Sequence, residues 1–296
     1  MILSPECVAP TGCMQGEAPL WSPSEGFLWW VDLRRAKLHR YNPKTGNTRR
    51  YDLPVKASSL ALYGGHLLMA ADREIGFFDP ANEAYERLSL LPDEPGSNRT
   101  SDGGIAPDGS FWFGTMDDAE RDPSGVYYRY GEDKSVTQLR LPSVLVTKTL
   151  QFSPDGRTFY TCDTAEAEIL AFDVHPETGA LAGRRIFATT HDLGGLPYGA
   201  TVDSEGGLWV CLHGASRVVR FAPDGTLDKT IILAAPLPTG CAIGGQDMRT
   251  LFITTARTGL SFPQLDARPL SGSLFAVEVD VPGLPPKAFG KRETGL

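Results

Sequence analysis

The sequence predicts an all-β fold, a six-bladed β-propeller forming a single domain over residues 1–296. Three observations carry that prediction. A pattern of apolar run, Pro/Gly/Asp turn and aromatic-rich strand recurs six times. The turn glycines Gly26, Gly65, Gly109, Gly156 and Gly206 are spaced by 39, 44, 47 and 50 residues, the period of a propeller blade. Gly 32 and Pro 23 supply many turns, and no amphipathic helical stretch of useful length interrupts them.

The elements follow in order. The two inner strands of each blade are read in "APLWSPSEGFLWWVD", "SSLALYGGHLLMAAD", "GGIAPDGSFWFGTMD", "TLQFSPDGRTFYTCD", "ATVDSEGGLWVCLHG" and "CAIGGQDMRTLFITTA". Third strands follow in "KLHRYN", "IGFFDP", "GVYYRY", "EILAFDV", "RVVRFAP" and "SLFAVEVD". Fourth strands follow in "TRRYDLP", "AYERLSL", "SVTQLRLP", "GRRIFATT" and "KTIILAAP", joined by hairpin turns such as "PKTG" and "APDG". The last repeat lacks a fourth strand. The N-terminal "PECVAP" is expected to supply it and so cover an exposed sheet edge. No Gly-His…Trp-Asp pairs recur, which disfavours a WD40 propeller.

Composition narrows the function classes. Hydrophobic residues at 41% and charged residues at 22% are globular values. A net charge of −8 without a basic stripe argues against nucleic acid and gives no attraction to an anionic membrane surface. No apolar run reaches transmembrane length, and "MILSPECVAP" has neither the basic start nor the apolar core of a secretory leader. The five cysteines form no C-x-x-C pair and read as reduced thiols of a cytoplasmic protein. No Gly-rich phosphate loop opens a helix, so a nucleotide is not expected. The oligomeric state is left open.

In a propeller, equivalent positions of the innermost strands meet at one mouth of the central channel. Counting back six residues from Pro23, Pro107, Pro154, Ser204 and Gly245 gives Glu17, Ser101, Lys148, Tyr198 and Thr239, with Ser58 near the equivalent place in the second blade. A carboxylate, an amine, a phenol and three hydroxyls are thus expected to converge. Arg99 and Asp102 flank Ser101, and His213 ends a fifth-blade strand. Convergent polar groups at a cleft are the default candidate site. The other histidines show no metal spacing, and Cys241 reads as core. "DDAERDP" is a charged loop that either gates the site or is simply solvated.

Here the sequence resembles a known family. "GEAPLW" at Gly16–Trp21 resembles the G-E-G-P-x-W opening of the SMP-30/gluconolactonase/luciferin-regenerating-enzyme family, which includes regucalcin. "NRTSDGGIAPDGSFWFGTM" at Asn98–Met116, "PYGATVDSEGGLWV" and "TGCAIGG" are similar to further blocks of that family, and the resemblance runs from about Gly16 to Gly259. It implies a six-bladed propeller that hydrolyses sugar lactones with one divalent metal, such as calcium or zinc, at the channel mouth. It implies that Glu17 is a metal ligand, that Arg99 holds substrate, and that Asp102 matches the block's Asp. Ser101 stands where a substrate-binding Asn is expected. Lys148 stands at the metal-binding Asn and Tyr198 at the metal-binding Asp, leaving Glu17 as the only retained ligand.

A hard dication needs several oxygen ligands, and a cation among them repels it. No metal cofactor is therefore expected, and Lys148 is expected to pair with Glu17. Three functions remain open at this level. In the first, Lys148 and Tyr198 polarise the carbonyl of a sugar-derived lactone while Glu17 acts as base. In the second, a deprotonated Lys148 forms a Schiff base with an oxo acid, as in a lyase, dehydratase or aldolase. In the third, the propeller binds a small molecule without catalysis. Ser101, Asp102, Thr239 and His213 are expected to contact the ligand with Arg99. The bland alternatives are an ion pair that plugs the channel and an aspartate that caps backbone amides.

Overall fold

A computed structural model describes residues 4–290. The chain folds into six four-stranded antiparallel sheets. Their innermost strands are Gly16–Ser22, Ala57–Tyr63, Asn98–Ile105, Thr147–Phe152, Leu196–Val202 and Pro238–Gly244. Each lies against the innermost strands of the two adjacent blades, and the sixth meets the first to close the ring. The last sheet is ordered Pro238–Gly244, Thr250–Thr255, Leu274–Glu278, then Glu6–Ala9, with Glu6 opposite Ala276. The N-terminal segment is thus the outermost strand of the final blade.

Burial follows from this stacking. The second strands, such as Phe27–Asp32 and Leu208–His213, are buried almost throughout because a neighbouring blade covers each face. Outer strands such as Thr48–Asp52 face solvent except at Tyr51. The core is therefore a set of inter-blade layers. Trp209 and Ile231 of the fifth blade pack with Ile253 and Phe275 of the sixth. Trp29 and Tyr51 of the first pack with Leu67 and Phe78 of the second. One short helix, Phe262–Ala267, lies in a connection, and its first turn carries Pro263. The fourth strand of the third blade is only Val136–Gln138, shorter than its sequence suggests.

One device shapes the channel mouth. All six innermost strands carry a β-bulge near their start, for example between Glu17 and Leu20 and between Lys148 and Gln151. A bulge adds an unpaired residue and re-aims its neighbours' side chains. Ala18 and Thr149 sit there at φ of 51° and 60°, a strained region for residues with a Cβ. Gly199 and Gly240 serve close approach. A Cβ on Gly199 would meet the Thr239 carbonyl oxygen at 2.5 Å, and one on Gly240 would meet Pro19 at 2.8 Å.

Candidate active site

Acidic residues that end second strands hold the segments leading into the site. The Asp32 carboxylate accepts hydrogen bonds from the amides of Met14 and Gln15 at 3.0 and 3.1 Å. Asp163 accepts from Leu145 and Val146 at 2.8 and 3.1 Å. These grips fix the entries of the first and fourth blades, which carry Glu17 and Lys148.

At the hub, Lys148 Nζ donates to Glu17 Oε2 at 2.6 Å. The two residues are 1% and 2% exposed, so solvent screens neither charge. The other Glu17 oxygen, Oε1, accepts from Gln15 Nε2 at 2.6 Å and from Tyr198 Oη at 3.2 Å. The ammonium also lies 4.2 Å from the centroid of the Tyr198 ring, a cation–π contact. His213 stacks on the same ring at 5.0 Å. Above this cluster, Arg34 Nε donates to Gln15 Oε1 at 2.9 Å. Arg34 Nη1 and Arg99 Nε both donate to Asp118 Oδ1, at 2.7 and 2.6 Å.

These contacts set the protonation states. Burial pulls the Lys148 ammonium down, but Glu17, Tyr198 and Asp102 outweigh it and hold its pKa above the ordinary lysine value. Burial pushes the Glu17 carboxyl up, yet Lys148 and then Arg99 bring it below the usual range. Burial, with the charge of Glu17, pushes the Tyr198 phenol up to about 12. Burial lowers the His213 imidazole, which is therefore neutral at pH 7. The alternative of a deprotonated, nucleophilic Lys148 draws no support from this pairing. Freeing the amine would leave the buried Glu17 carboxylate unpaired, so an imine enzyme acting on an oxo acid finds no support here.

The hydroxyls of the ring do not converge as expected. Ser101 is fully buried, and its Oγ donates to the Thr147 carbonyl of the fourth blade at 2.8 Å. Thr239 Oγ1 donates to the Gly16 carbonyl of the first blade. Ser58 Oγ donates to Thr100 Oγ1 of the third blade at 2.7 Å. All three latch one blade to the next. The bulges turn them sideways, and Ser59 rather than Ser58 faces the channel, where its hydroxyl has no partner among the described residues. Asp102 caps the Gly103 amide at 2.9 Å and approaches the Leu150 amide at 3.4 Å. It lies beneath the hub, where burial raises its carboxyl against the pull of Lys148.

Glu17, Lys148, Asp102, Ser59 and Thr239 border a cavity of about 50 Å³ inside the channel. A larger chamber of about 190 Å³ lies beyond it, bordered by Leu284–Lys287. Sequence reasoning missed Gln15, Arg34 and the latching role of Asp118. Gln15 stands two residues before Glu17, a spacing that places both on one side of an extended chain. Arg34, in a one-turn connection, has no comparable signal.

The donor set does not suit the dication that the resemblance implies. Of the carboxylates bordering the cavity, Glu17 is engaged by an ammonium at 2.6 Å, and Asp102 is held by the Gly103 amide at 2.9 Å. Among the described residues no group of three or more His, Cys, Asp or Glu could hold a metal ion. All five cysteines are free thiols, four of them buried. No described helix is long and apolar enough to cross a membrane.

Residues 15–257 match the family model described as SMP-30/Gluconolactonase/LRE-like region. The chain is 34% identical to a 6-deoxy-6-sulfogluconolactonase of Pseudomonas putida, over 94% of this chain and 96% of the relative. It is 31% identical to an L-arabinolactonase of Azospirillum brasilense, over 97% and 96%. Among solved structures it superposes on a calcium-binding protein, regucalcin, of Agrobacterium tumefaciens with a TM-score of 0.93 at 26% identity, covering 98% and 99% of the two chains. The chain belongs to the SMP-30/gluconolactonase/LRE-like family.

Proposed function

We propose that this propeller hydrolyses a sugar-derived lactone at the channel mouth, with the Lys148 ammonium in the place where the family resemblance puts a divalent ion. The observation that carries the reading is the buried Lys148–Glu17 pair beside Tyr198, 2.6 Å between charges at the meeting point of the blades. The lactonase names of the relatives at 34% and 31% identity support the reaction class.

Lys148 Nζ–H is the donor for the lactone carbonyl oxygen, joined by Tyr198 Oη–H when it turns from Glu17 Oε1 to the substrate. A fixed cation in a site poor in water stabilises the negative charge that grows there, without reorganising as solvent must. Glu17 is a poor base because its charge is engaged by the ammonium. Its part is to keep Lys148 charged and aimed. Neutral His213, stacked on Tyr198, is the better acceptor at pH 7. It takes a proton from water as the water oxygen bonds to the carbonyl carbon. The bond from that carbon to the ring oxygen then breaks, and the imidazolium returns the proton to the ring oxygen, giving a hydroxy acid.

The test is turnover of a sugar-lactone panel in excess chelator, for the wild type and Lys148→Met. Turnover that survives chelator and falls about 100- to 1,000-fold in kcat with Lys148→Met supports the proposal, the scale being that of one lost oxyanion donor. Turnover abolished by chelator in the wild type refutes the role of Lys148. No turnover of any lactone, with sugar acids still raising Tm, supports the binding-protein alternative.

A further inference from the structure

Resting on the lactone reading above, we propose that the substrate carries an oxyanion, a carboxylate or a sulfonate, which replaces Asp118 between Arg34 and Arg99. Asp118 follows directly on the strand Phe111–Asp117 and reaches over the mouth. Its Oδ1 alone accepts both guanidiniums, at 2.7 Å from Arg34 Nη1 and 2.6 Å from Arg99 Nε. Two cations thus share one carboxylate oxygen. Arg99 is 4% exposed, and its Nη2 is buried without a hydrogen-bond partner among the described residues. Leaving a guanidinium N–H unmet is unfavourable, so the site has unused capacity for an anion. Nearby carboxylates are engaged elsewhere or exposed: Asp117 accepts from the Arg121 amide at 2.9 Å, Glu17, on which the Arg99 charge acts, accepts from Lys148, Gln15 and Tyr198, and Glu120 is exposed.

The site as it stands is closed. Lys148, Glu17 and Tyr198 are 1%, 2% and 6% exposed, and the Arg34–Gln15 contact lies between them and Asp118. A ligand that enters between Arg34 and Arg99 parts Asp118 from both. A neutral sugar would leave both cations underpaired, one of them buried at 4% exposure. A carboxylate or sulfonate exchanges one anion for another and can add the second oxygen that Arg99 Nη2 lacks, as paired guanidinium–oxyanion contacts do. The single amide of Gln15 connects Arg34 to Glu17. An anionic group and a reacting carbonyl on one small molecule can therefore occupy the two ends together. Asp118 acts as the internal stand-in that keeps the mouth shut until such a molecule arrives.

The experiment compares kcat/KM for gluconolactone, its 6-carboxylate analogue and its 6-sulfonate analogue, in the wild type, Arg34→Gln and Asp118→Asn. The expected result is a preference for at least one anionic lactone over the neutral one of about 10- to 100-fold, the worth of one charge-assisted contact. The two anionic arms distinguish carboxylate from sulfonate. Arg34→Gln should collapse that ratio, chiefly through KM. Asp118→Asn should lower KM for the preferred anionic lactone by removing the competitor. Equal turnover of neutral and anionic lactones, or a ratio that Arg34→Gln leaves in place, overturns the proposal while the lactone reading stands. No turnover of any of the three overturns both.

Discussion

Replacing Lys148 by Met tests the hub on stability as well as on activity. Lys148 and Glu17 are almost completely buried and 2.6 Å apart. Methionine keeps much of the side-chain length, so the loss is mainly electrostatic. Glu17 is left as a buried carboxylate with Gln15 and Tyr198 as hydrogen-bond donors and with the Arg99 charge still acting on it. Breaking a buried pair at one partner costs about 3–5 kcal/mol, a large part of the roughly 5–15 kcal/mol that a folded domain has. With a urea slope of about 3 kcal/mol/M, the midpoint should fall by about 1–1.7 M. The pH dependence gives a second readout. In the wild type the lowered Glu17 pKa contributes stability above the unfolded carboxyl pKa, and that contribution is lost as pH falls through the lower folded value. The raised Lys148 pKa contributes stability below the unfolded lysine pKa, and that is lost as pH rises through the higher folded value. In Lys148→Met, burial dominates and raises the Glu17 pKa, so the variant recovers stability as pH falls. The deficit should be largest at pH 8 and narrower at pH 5. The double variant Lys148→Met/Glu17→Gln should recover most of the loss. A deficit below about 0.5 kcal/mol, which is ordinary for a harmless surface change, or one that widens at pH 5, refutes the reasoning.

Two further outcomes follow. Lactone kcat/KM should rise with pH through a single group below the ordinary histidine pKa of about 6.5 and then level off. His213→Gln should remove that limb and lower the plateau about 100-fold or more, as read from a pH–rate profile; an unchanged profile assigns the base elsewhere. Thr239→Val should lower stability by about 1–2 kcal/mol, because the Gly16 carbonyl loses its donor across the first and last blades. Denaturant titration checks this, and an unchanged midpoint means the latch is idle.

Much of the architecture was legible because each blade repeats the same strand–turn–strand phrase. Glu17, Lys148 and Tyr198 could be placed together because every innermost strand has a bulge near the same point. Counting back from the turn therefore keeps equivalent residues equivalent. The same bulges defeated the reading of Ser58, Ser101 and Thr239. Residue type reveals a hydroxyl but not its direction, and the local kink turned all three onto neighbouring blades. Gln15, Arg34 and Asp118 were hidden for another reason. They stand in or beside the connections, whose paths depend on the packed ring and not on periodicity. The Arg34–Asp118 contact joins residues 84 positions apart, a pairing that no local pattern encodes.

On this proposal a tethered ammonium holds the place of a dication. Isothermal titration of calcium and zinc ions into the wild type and into Lys148→Asn/Tyr198→Asp tests it most directly, since the double change restores the donors that the family resemblance implies beside Glu17. The wild type should show no stoichiometric binding and the double variant one site, with Kd in roughly the micromolar to millimolar range. One tightly bound ion per wild-type chain, released by Glu17→Gln, would contradict it.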